Sequence, residues 1–361
     1  MKTEDLIKRY EKIEHLVSPA GLLIGFFWHL LNLRRIDLFF DNLLVVFYLC
    51  LTGLTIIYLN AYQAGKIRGR FFEIGAIVVP FVMQFSIGGL FSSFLTFYGE
   101  SSAISVSWPF LAILVFLLIG NEVFRKRYQR LIFQVCTYFA VIFLYLVFAV
   151  PILIDRLGDS TFLISGAAAL VLISLFVFIV RLVARQTVAQ SWQWSAVGIF
   201  AIFLALNIFY FTNIIPPIPL SLKEGVISHS VVRAGTDWQV LIETPPWYLF
   251  LDEYDPVFHW QPGERVYCYA AVFAPTKIKT NIYHRWSFYD EKSKQWVEKS
   301  KISYEIVGGK DGGYRGYSYK QSIAPGSWRV DIINERGQVL GRLSFKIVQV
   351  SSLPKLTELV F

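Results

Sequence analysis

The chain has 361 residues, of which 55% are hydrophobic and 17% are charged. Ordinary soluble domains carry about 25% charged residues, so this composition excludes a typical soluble protein and favours one embedded in a membrane. The three cysteines form no CxxC pair, which argues against a disulfide framework or a thiolate metal site.

Seven apolar runs precede residue 216, and each approaches the roughly 20 residues that a spanning helix needs. They lie at residues 16–33, 42–60, 74–97, 103–124, 131–153, 161–183 and 195–215. The first run is the weakest, because a proline and polar residues interrupt it. The prolines of the PPIP stretch that follows fix φ and favour an extended segment. These features predict three parts: a multi-span transmembrane domain at 1–215, a proline-rich joint at 216–224 and a second domain at 225–361.

The segments between these runs alternate in charge. The N-terminal segment and the second, fourth and sixth loops hold thirteen Lys and Arg residues, and the remaining loops hold three. Cytoplasmic segments carry such an excess, so we expect the N-terminus to lie in the cytoplasm. With an odd number of spans, the second domain then lies on the outer, extracytoplasmic side of the membrane. The same rule explains the net charge of +8 without a nucleic-acid partner.

Four polar residues lie within or at the ends of the predicted spans, where such residues are costly and often functional. They are Glu73, Glu100, Asn121 and Glu122. The simpler interpretation is structural, since Glu122 and Lys126 have the spacing of an i,i+4 ion pair. No chain of carboxylates and histidines runs through the spans, so a proton-driven transporter is not favoured.

Beyond residue 225 the hydrophobic pattern takes a period of two, which is typical of strands. The charged turn Asp290–Lys294 predicts a hairpin between two of them. Segment 226–243 has room for two strands, and single strands are predicted at 265–273, 282–289, 295–306, 314–323, 326–333 and 339–348. Short strands with regular turns predict an all-β sandwich of immunoglobulin-like type.

The sharpest candidate for a ligand site is a group of aromatic and basic residues on these strands. It comprises His284, Trp286, Arg315, Tyr317 and Trp328. Alternation places His284 and Trp286 on one face of their strand. If Arg315 meets them there, the group would bind a carboxylate, phosphate or sugar by stacking and charge-assisted hydrogen bonds. The alternative is that the tryptophans fill the core while His284 and Arg315 satisfy internal hydrogen bonds.

The sequence offers no catalytic residue. The five histidines form no HExxH or HxH spacing, and the chain lacks a GxSxG elbow, a Walker loop and a GxGxxG fingerprint. We therefore expect no metal and no cofactor, and an enzyme is not favoured.

The outer half resembles a bacterial domain family of unknown function, number 2914 in the domain-of-unknown-function series. The residues that carry this resemblance are His284–Trp286, Tyr314–Ser318, Gly326–Asp331, Gly337–Leu340 and Phe345–Ile347. The helical half resembles the multi-span segment numbered 5924 in that series, chiefly through Ser107–Phe110 and Asn121-Glu122. The resemblance implies an extracytoplasmic β-domain in a Gram-negative envelope and implies no activity.

Together these features favour a non-catalytic inner-membrane protein whose outer β-domain binds an envelope protein or a glycan, with membrane lipid around its helices. One alternative is a seven-span envelope sensor that acts through a cytoplasmic partner. Another is a membrane-embedded lipid or glycan enzyme or transporter that uses the polar residues of the spans.

Overall fold

The computed structural model describes residues 19–31, 39–101, 108–115, 131–216, 219–235, 237–244, 256–275, 278–309 and 312–361. The helices up to Ile215 form one compact unit, and the strands that follow from Pro216 form another. We call them the helical unit and the β unit.

The described part of the helical unit contains seven helices. They are α1 (Pro19–Leu31), α2 (Phe39–Gln63), α3 (Arg70–Glu100), α4 (108–115), α5 (Leu131–Ile154), α6 (Asp159–Val183) and α7 (Arg185–Phe211). Five of them, α2, α3, α5, α6 and α7, are long and apolar enough to cross a membrane. The prediction of a multi-span helical domain is confirmed to that extent. The count of seven spans stays a prediction, because the predicted ends of the first and fourth spans lie outside the described residues.

Glycine allows α1 and α3 to pack closely. A Cβ atom on Gly25 would overlap the main-chain carbonyl of Phe85, and one on Gly88 would overlap the carbonyl of Leu22. Small residues play this part in membrane helices because no hydrophobic force drives such helices together in lipid, and close packing replaces it.

Side-chain contacts fix the directions of the other helices. At one end of α2, Asn60 donates a hydrogen bond to Gln134 of α5 (2.7 Å), and at the other end Tyr145 of α5 donates to Asn42 (2.5 Å). Helices α2 and α5 are therefore antiparallel.

Helices α6 and α7 form a hairpin through the single residue Ala184. At its open end, Tyr210 donates a hydrogen bond to Asp159 (3.2 Å) and its ring stacks on Phe162 at 3.7 Å. The α5–α6 pair is also antiparallel, since Phe143 of α5 contacts Phe162 of α6 while the earlier Tyr138 contacts the later Phe176. The Ala184 joint and the α2–α3 loop consequently lie at the same end of the bundle.

The described part of the β unit contains eleven strands. They are β1 (Ser221–Ser228), β2 (Ser230–Ala234), β3 (Asp237–Glu243), β4 (Val257–Trp260), β5 (Val266–Phe273), β6 (Lys279–Asp290), β7 (Gln295–Val307), β8 (Tyr314–Lys320), β9 (Gly326–Ile333), β10 (Val339–Gln349) and β11 (Leu356–Val360). The predicted hairpin is present as β6 and β7, with Asp290 accepting a hydrogen bond from the Ser293 hydroxyl in its turn. The prediction of a C-terminal domain built from β-strands is confirmed.

The strands form three sheets, in the orders β1-β5-β8, β4-β10-β9-β6-β7 and β11-β3-β2. All pairings are antiparallel except that of β4 with β10. The first two sheets face each other: Gly316 of β8 lies against the Tyr304 ring of β7, and Gly225 of β1 lies against Leu343 of β10. The third sheet covers part of the opposite face of the first, where Val226, Val240 and Tyr269 share a core.

The outer face of the five-stranded sheet carries a buried charge network around Asp331. The Asp331 side chain has 0% exposure, and its two oxygens accept hydrogen bonds from Arg285 Nη2 (2.8 Å), Arg342 Nε (2.6 Å) and Arg342 Nη2 (3.1 Å). Burial opposes ionisation, but these hydrogen bonds outweigh it and lower the pKa of Asp331. The network joins β6, β9 and β10 across the sheet.

Candidate ligand-binding surface of the β unit

His284 and Trp286 lie in the closed core between the two facing sheets. Both are 0% exposed, and both share the Ser318 hydroxyl, at 2.8 Å from His284 Nδ1 and 3.0 Å from Trp286 Nε1. The other ring nitrogen of His284 is 3.1 Å from the Tyr304 hydroxyl. Burial lowers the pKa of His284 to about 3, so this histidine is neutral at physiological pH.

The other three residues of the predicted group lie elsewhere. Trp328 is buried against Phe288 and donates to the Ala324 carbonyl (2.8 Å). Arg315 and Tyr317 alternate with the inward-facing Ser318 on β8, so they lie on the opposite face from His284 and Trp286. The five residues therefore do not share one surface, and among them Tyr317, at 41% exposure, is open to solvent.

Of the four polar residues predicted in the membrane spans, the structure describes the side chain of one, Glu73. Glu73 lies half-buried in the first turn of α3. The side chain of Glu100, and the whole of Asn121 and Glu122, lie outside the described residues. Their use by an enzyme or a transporter stays a prediction.

Tyr317 belongs to a row of four aromatic rings, of which three are on the outer face of the β1-β5-β8 sheet and the fourth, Trp238, is on β3 of the third sheet. We name this row the aromatic strip: Trp238, Tyr317, Tyr267 and Tyr319. Ring centroids are 5.8 Å apart between Trp238 and Tyr317, 6.2 Å between Tyr317 and Tyr267, and 5.6 Å between Tyr267 and Tyr319. Tyr319 is 45% exposed, and Tyr267 and Trp238 are half-buried, so each ring of the row is at least partly accessible to solvent.

An arginine lies at each end of the aromatic strip. The Arg265 guanidinium sits 4.9 Å from the Tyr319 ring centroid, and the Arg233 guanidinium sits 6.0 Å from that of Trp238. Such cation–π contacts hold the guanidinium groups beside the rings. Arg233 Nε also donates a hydrogen bond to the Gly235 carbonyl (3.2 Å), and the other N–H groups of its guanidinium can bind an anion. The surface can stack planar or C–H-rich groups along its length and bind anionic groups at both ends.

A second group of titratable residues forms a hydrogen-bonded row at one edge of the β unit. We name it the acid–base chain: Glu264, His229, Glu243 and His259. His229 Nδ1 is 2.6 Å from Glu264 Oε1, and His229 Nε2 is 3.1 Å from Glu243 Oε1. His259 Nδ1 is 2.6 Å from Glu243 Oε2, and its main-chain N–H donates to Glu243 Oε1 (2.6 Å). Acids and bases alternate along the row.

The surroundings of the acid–base chain favour its charged form. Burial opposes protonation of His229, but the hydrogen bonds to Glu243 and Glu264 outweigh it and raise the pKa of this imidazole. Burial likewise opposes ionisation of Glu243, and the hydrogen bonds from His229 and His259 outweigh it and lower the pKa of this carboxyl. The arrangement can hold a proton on His229 between two carboxylates.

The geometry does not suit a metal ion. Both ring nitrogens of His229 are engaged with different carboxylates, so they do not converge on one point with His259. Within the described part of the chain, no group of three or more His, Cys, Asp and Glu residues has a metal-binding arrangement.

The sequence contained a signal for the aromatic strip but none for the acid–base chain. Tyr317 and Tyr319 lie two apart on a predicted strand, and Tyr267 lies on another, so alternation could have placed them on one face. The acid–base chain has no comparable signal. His229 lies between β1 and β2, Glu243 ends β3, His259 is on β4 and Glu264 precedes β5, and no short motif relates them.

Comparison with known proteins reaches only part of the chain. Residues 279–347 match a family described as "Protein of unknown function (DUF2914)". The match runs from the first residue of β6 into β10, so it includes the buried His284 and Trp286 and supports the resemblance predicted for the C-terminal half. It does not extend to the helical unit, whose resemblance to family 5924 stays a prediction.

No curated protein matches the chain significantly. One similar solved structure is the Pseudomonas fluorescens alkylpurine DNA glycosylase AlkC bound to DNA containing an abasic site analog. It is 10% identical, with 82% of this chain and 99% of that chain covered, and its TM-score is 0.24. A TM-score this low establishes neither a common fold nor a common function.

Proposed function

We propose that this protein is a multi-pass protein of the bacterial inner membrane that binds an anionic glycan of the envelope through its β unit, without catalysing a reaction. In this proposal the N-terminus is cytoplasmic and the β unit is a periplasmic domain of immunoglobulin-like sandwich type. The observation that carries the binding function is the aromatic strip with an arginine at each end.

The chemistry of the aromatic strip supports a sugar ligand. One face of a pyranose ring presents C–H groups that stack on aromatic rings, while its hydroxyls remain in water. Tyrosine and tryptophan suit such a ligand because they combine an apolar face with a polar tip. Arg233 and Arg265 add charge-assisted hydrogen bonds to carboxylate or phosphate substituents.

The charge pattern of the helical unit supports the proposed orientation. Lys66, Arg68 and Arg70 of the α2–α3 region lie at the same end of the bundle as Arg181 and Arg185 at the Ala184 joint. Basic residues gather at the cytoplasmic ends of membrane helices. Since α7 runs away from that end, the chain leaves the helical unit on the other side.

Glycan binding is testable with the full-length protein in nanodiscs and purified peptidoglycan fragments or lipopolysaccharide polysaccharide as probes. Replacing Tyr317 or Tyr319 by alanine should weaken binding roughly 2- to 10-fold for each ring, in line with about 0.5–1.5 kcal/mol for an aromatic contact. The matched control is Trp296→Ala, which removes a ring of 36% exposure that stacks on Arg329 away from the aromatic strip. Equal binding by the wild-type protein and both strip variants would contradict the proposal.

A second function, sensing of periplasmic acidity, is supported by the acid–base chain. A change of proton occupancy on His229 would alter its bonds to Glu243 and Glu264, and through Glu243 its link to His259. Hydrogen exchange of the full-length protein at neutral and mildly acidic pH tests this. The protection of main-chain amides in strands β2–β4 should change with pH in the wild type and much less in His229→Gln. Identical pH dependence of amide protection in the two proteins would contradict the sensing function.

A further inference from the structure

The hairpin of α6 and α7 encloses a cleft of about 440 Å³ that neither the ligand surface nor the core of the bundle uses. Arg181 and Arg185 form its mouth, on either side of the Ala184 joint. Its walls are apolar, with Val177, Phe178 and Trp192 among them. We name it the α6–α7 cleft.

The α6–α7 cleft has one charged end and one apolar end. Ser174 lines the far end, seven residues before Arg181 on the same helix, which is about 10 Å along the helix axis. Phe178 and Trp192, two of its apolar lining residues, are 58% and 56% exposed. A ligand that fits must therefore be anionic at one end and apolar for about 10 Å beyond it.

Arg181 and Arg185 are both exposed, and within the described ranges neither forms a salt bridge. Arginine recognises phosphate through paired N–H donors, and two guanidiniums beside one opening suit a phosphodiester.

The position of the α6–α7 cleft in the bundle selects among anionic ligands. It opens at the end that also carries Lys66, Arg68 and Arg70, where an anionic membrane surface would concentrate negative lipids. A soluble phosphate would pair with Arg181 and Arg185 at the mouth, but it would leave the apolar walls of the cleft without a ligand group to cover them.

We propose that the α6–α7 cleft is a binding site for an anionic glycerophospholipid. Arg181 and Arg185 hold its phosphate, and an acyl chain lies along Val177 and Phe178 toward Ser174. This site is independent of the glycan surface, so either proposal can fail without the other.

The test uses the full-length protein in detergent with phosphatidylglycerol as the probe, and bound lipid is counted by native mass spectrometry. The double variant Arg181→Gln/Arg185→Gln should bind phosphatidylglycerol about 30-fold more weakly, because each basic residue near an anionic surface contributes about fivefold. The matched control, Lys66→Gln/Arg68→Gln, removes the same charge at the same end of the bundle, outside the cleft, and should bind like the wild type.

Three further arms of the experiment separate the outcomes. Phosphatidylcholine should bind poorly, and inorganic phosphate should not displace phosphatidylglycerol from the wild type. Ser174→Trp, which fills the apolar end and leaves both arginines, should weaken binding as well. Equal loss in the cleft and control variants, equal binding of phosphatidylcholine, or displacement by inorganic phosphate would each overturn the lipid site. Size-exclusion profiles and helical circular dichroism verify that each variant is folded.

Discussion

Replacing Asp331 by alanine tests the charge network on the outer face of the five-stranded sheet. Asp331 is 0% exposed and accepts three hydrogen bonds of 2.6–3.1 Å from Arg285 and Arg342. Removing one partner of a buried ion pair costs about 3–5 kcal/mol, because the remaining charge is left without compensation. Here the two arginines keep 27% and 26% exposure and can regain water, so we expect the lower end, about 3 kcal/mol.

The assay is pulse proteolysis of the full-length protein in nanodiscs across a urea gradient. Protease then cleaves the β unit once it unfolds, while lipid protects the helices. With a urea dependence of about 1.5–2 kcal/mol per molar, the midpoint should fall by roughly 1.5–2 M. Glu291→Ala, an exposed change in the β6–β7 turn, serves as the control and should stay within about 0.5 kcal/mol of wild type. If Asp331→Ala loses less than about 1 kcal/mol, the network does not stabilise the sheet as argued.

Two further predictions concern titration and reactivity in the β unit. The difference in free energy of unfolding between the wild type and His229→Gln should be greatest between about pH 4.5 and 6.5, which are the ordinary pKa values of Glu243 and His229. The difference should decline at higher pH, because His229 then loses the proton that it holds between Glu243 and Glu264. It should also decline at lower pH, because Glu243 then gains a proton and its bonds to His229 and His259 weaken. A pH-independent difference in urea midpoints would refute the role of the acid–base chain. Cys268 is 0% exposed, and burial raises the pKa of its thiol. A variant that keeps only this cysteine should therefore resist maleimide labelling until urea unfolds the β unit. Rapid labelling of the native protein would show that the core is open.

The bounds of a helix in the helical unit could be predicted where the whole helix is apolar, and less well where polar residues form part of the helix. Helices α2, α3, α5 and α6 cover the predicted apolar runs closely. Helix α7 begins at Arg185, ten residues before the run predicted at 195–215. The polar residues of this first part lowered the apolar signal, but the backbone hydrogen bonds of a helix do not depend on side-chain polarity.

The β unit was predictable through local signals and not through distant pairings. The β6–β7 hairpin follows from alternation on both sides of a charged turn. Strand β4 has four residues and pairs in parallel with β10, a long-range contact that leaves no local pattern. Alternation placed His284 and Trp286 together but could not say whether their shared face was a pocket or a core. That distinction depends on which sheet covers the face.

The pairing of β3 with β11 affects when the aromatic strip forms during folding. Trp238 of β3 exchanges two main-chain hydrogen bonds of 3.0 Å with Phe361, and Thr244 meets Thr357 across a sequence separation of 113 residues. Closing so long a loop is entropically costly, and contacts of this kind form slowly. We therefore expect the Trp238 end of the strip to be assembled late in folding, after β5 and β8 have paired. A newly made molecule would pass through a stage in which the tyrosines are in place and the surface is still incomplete.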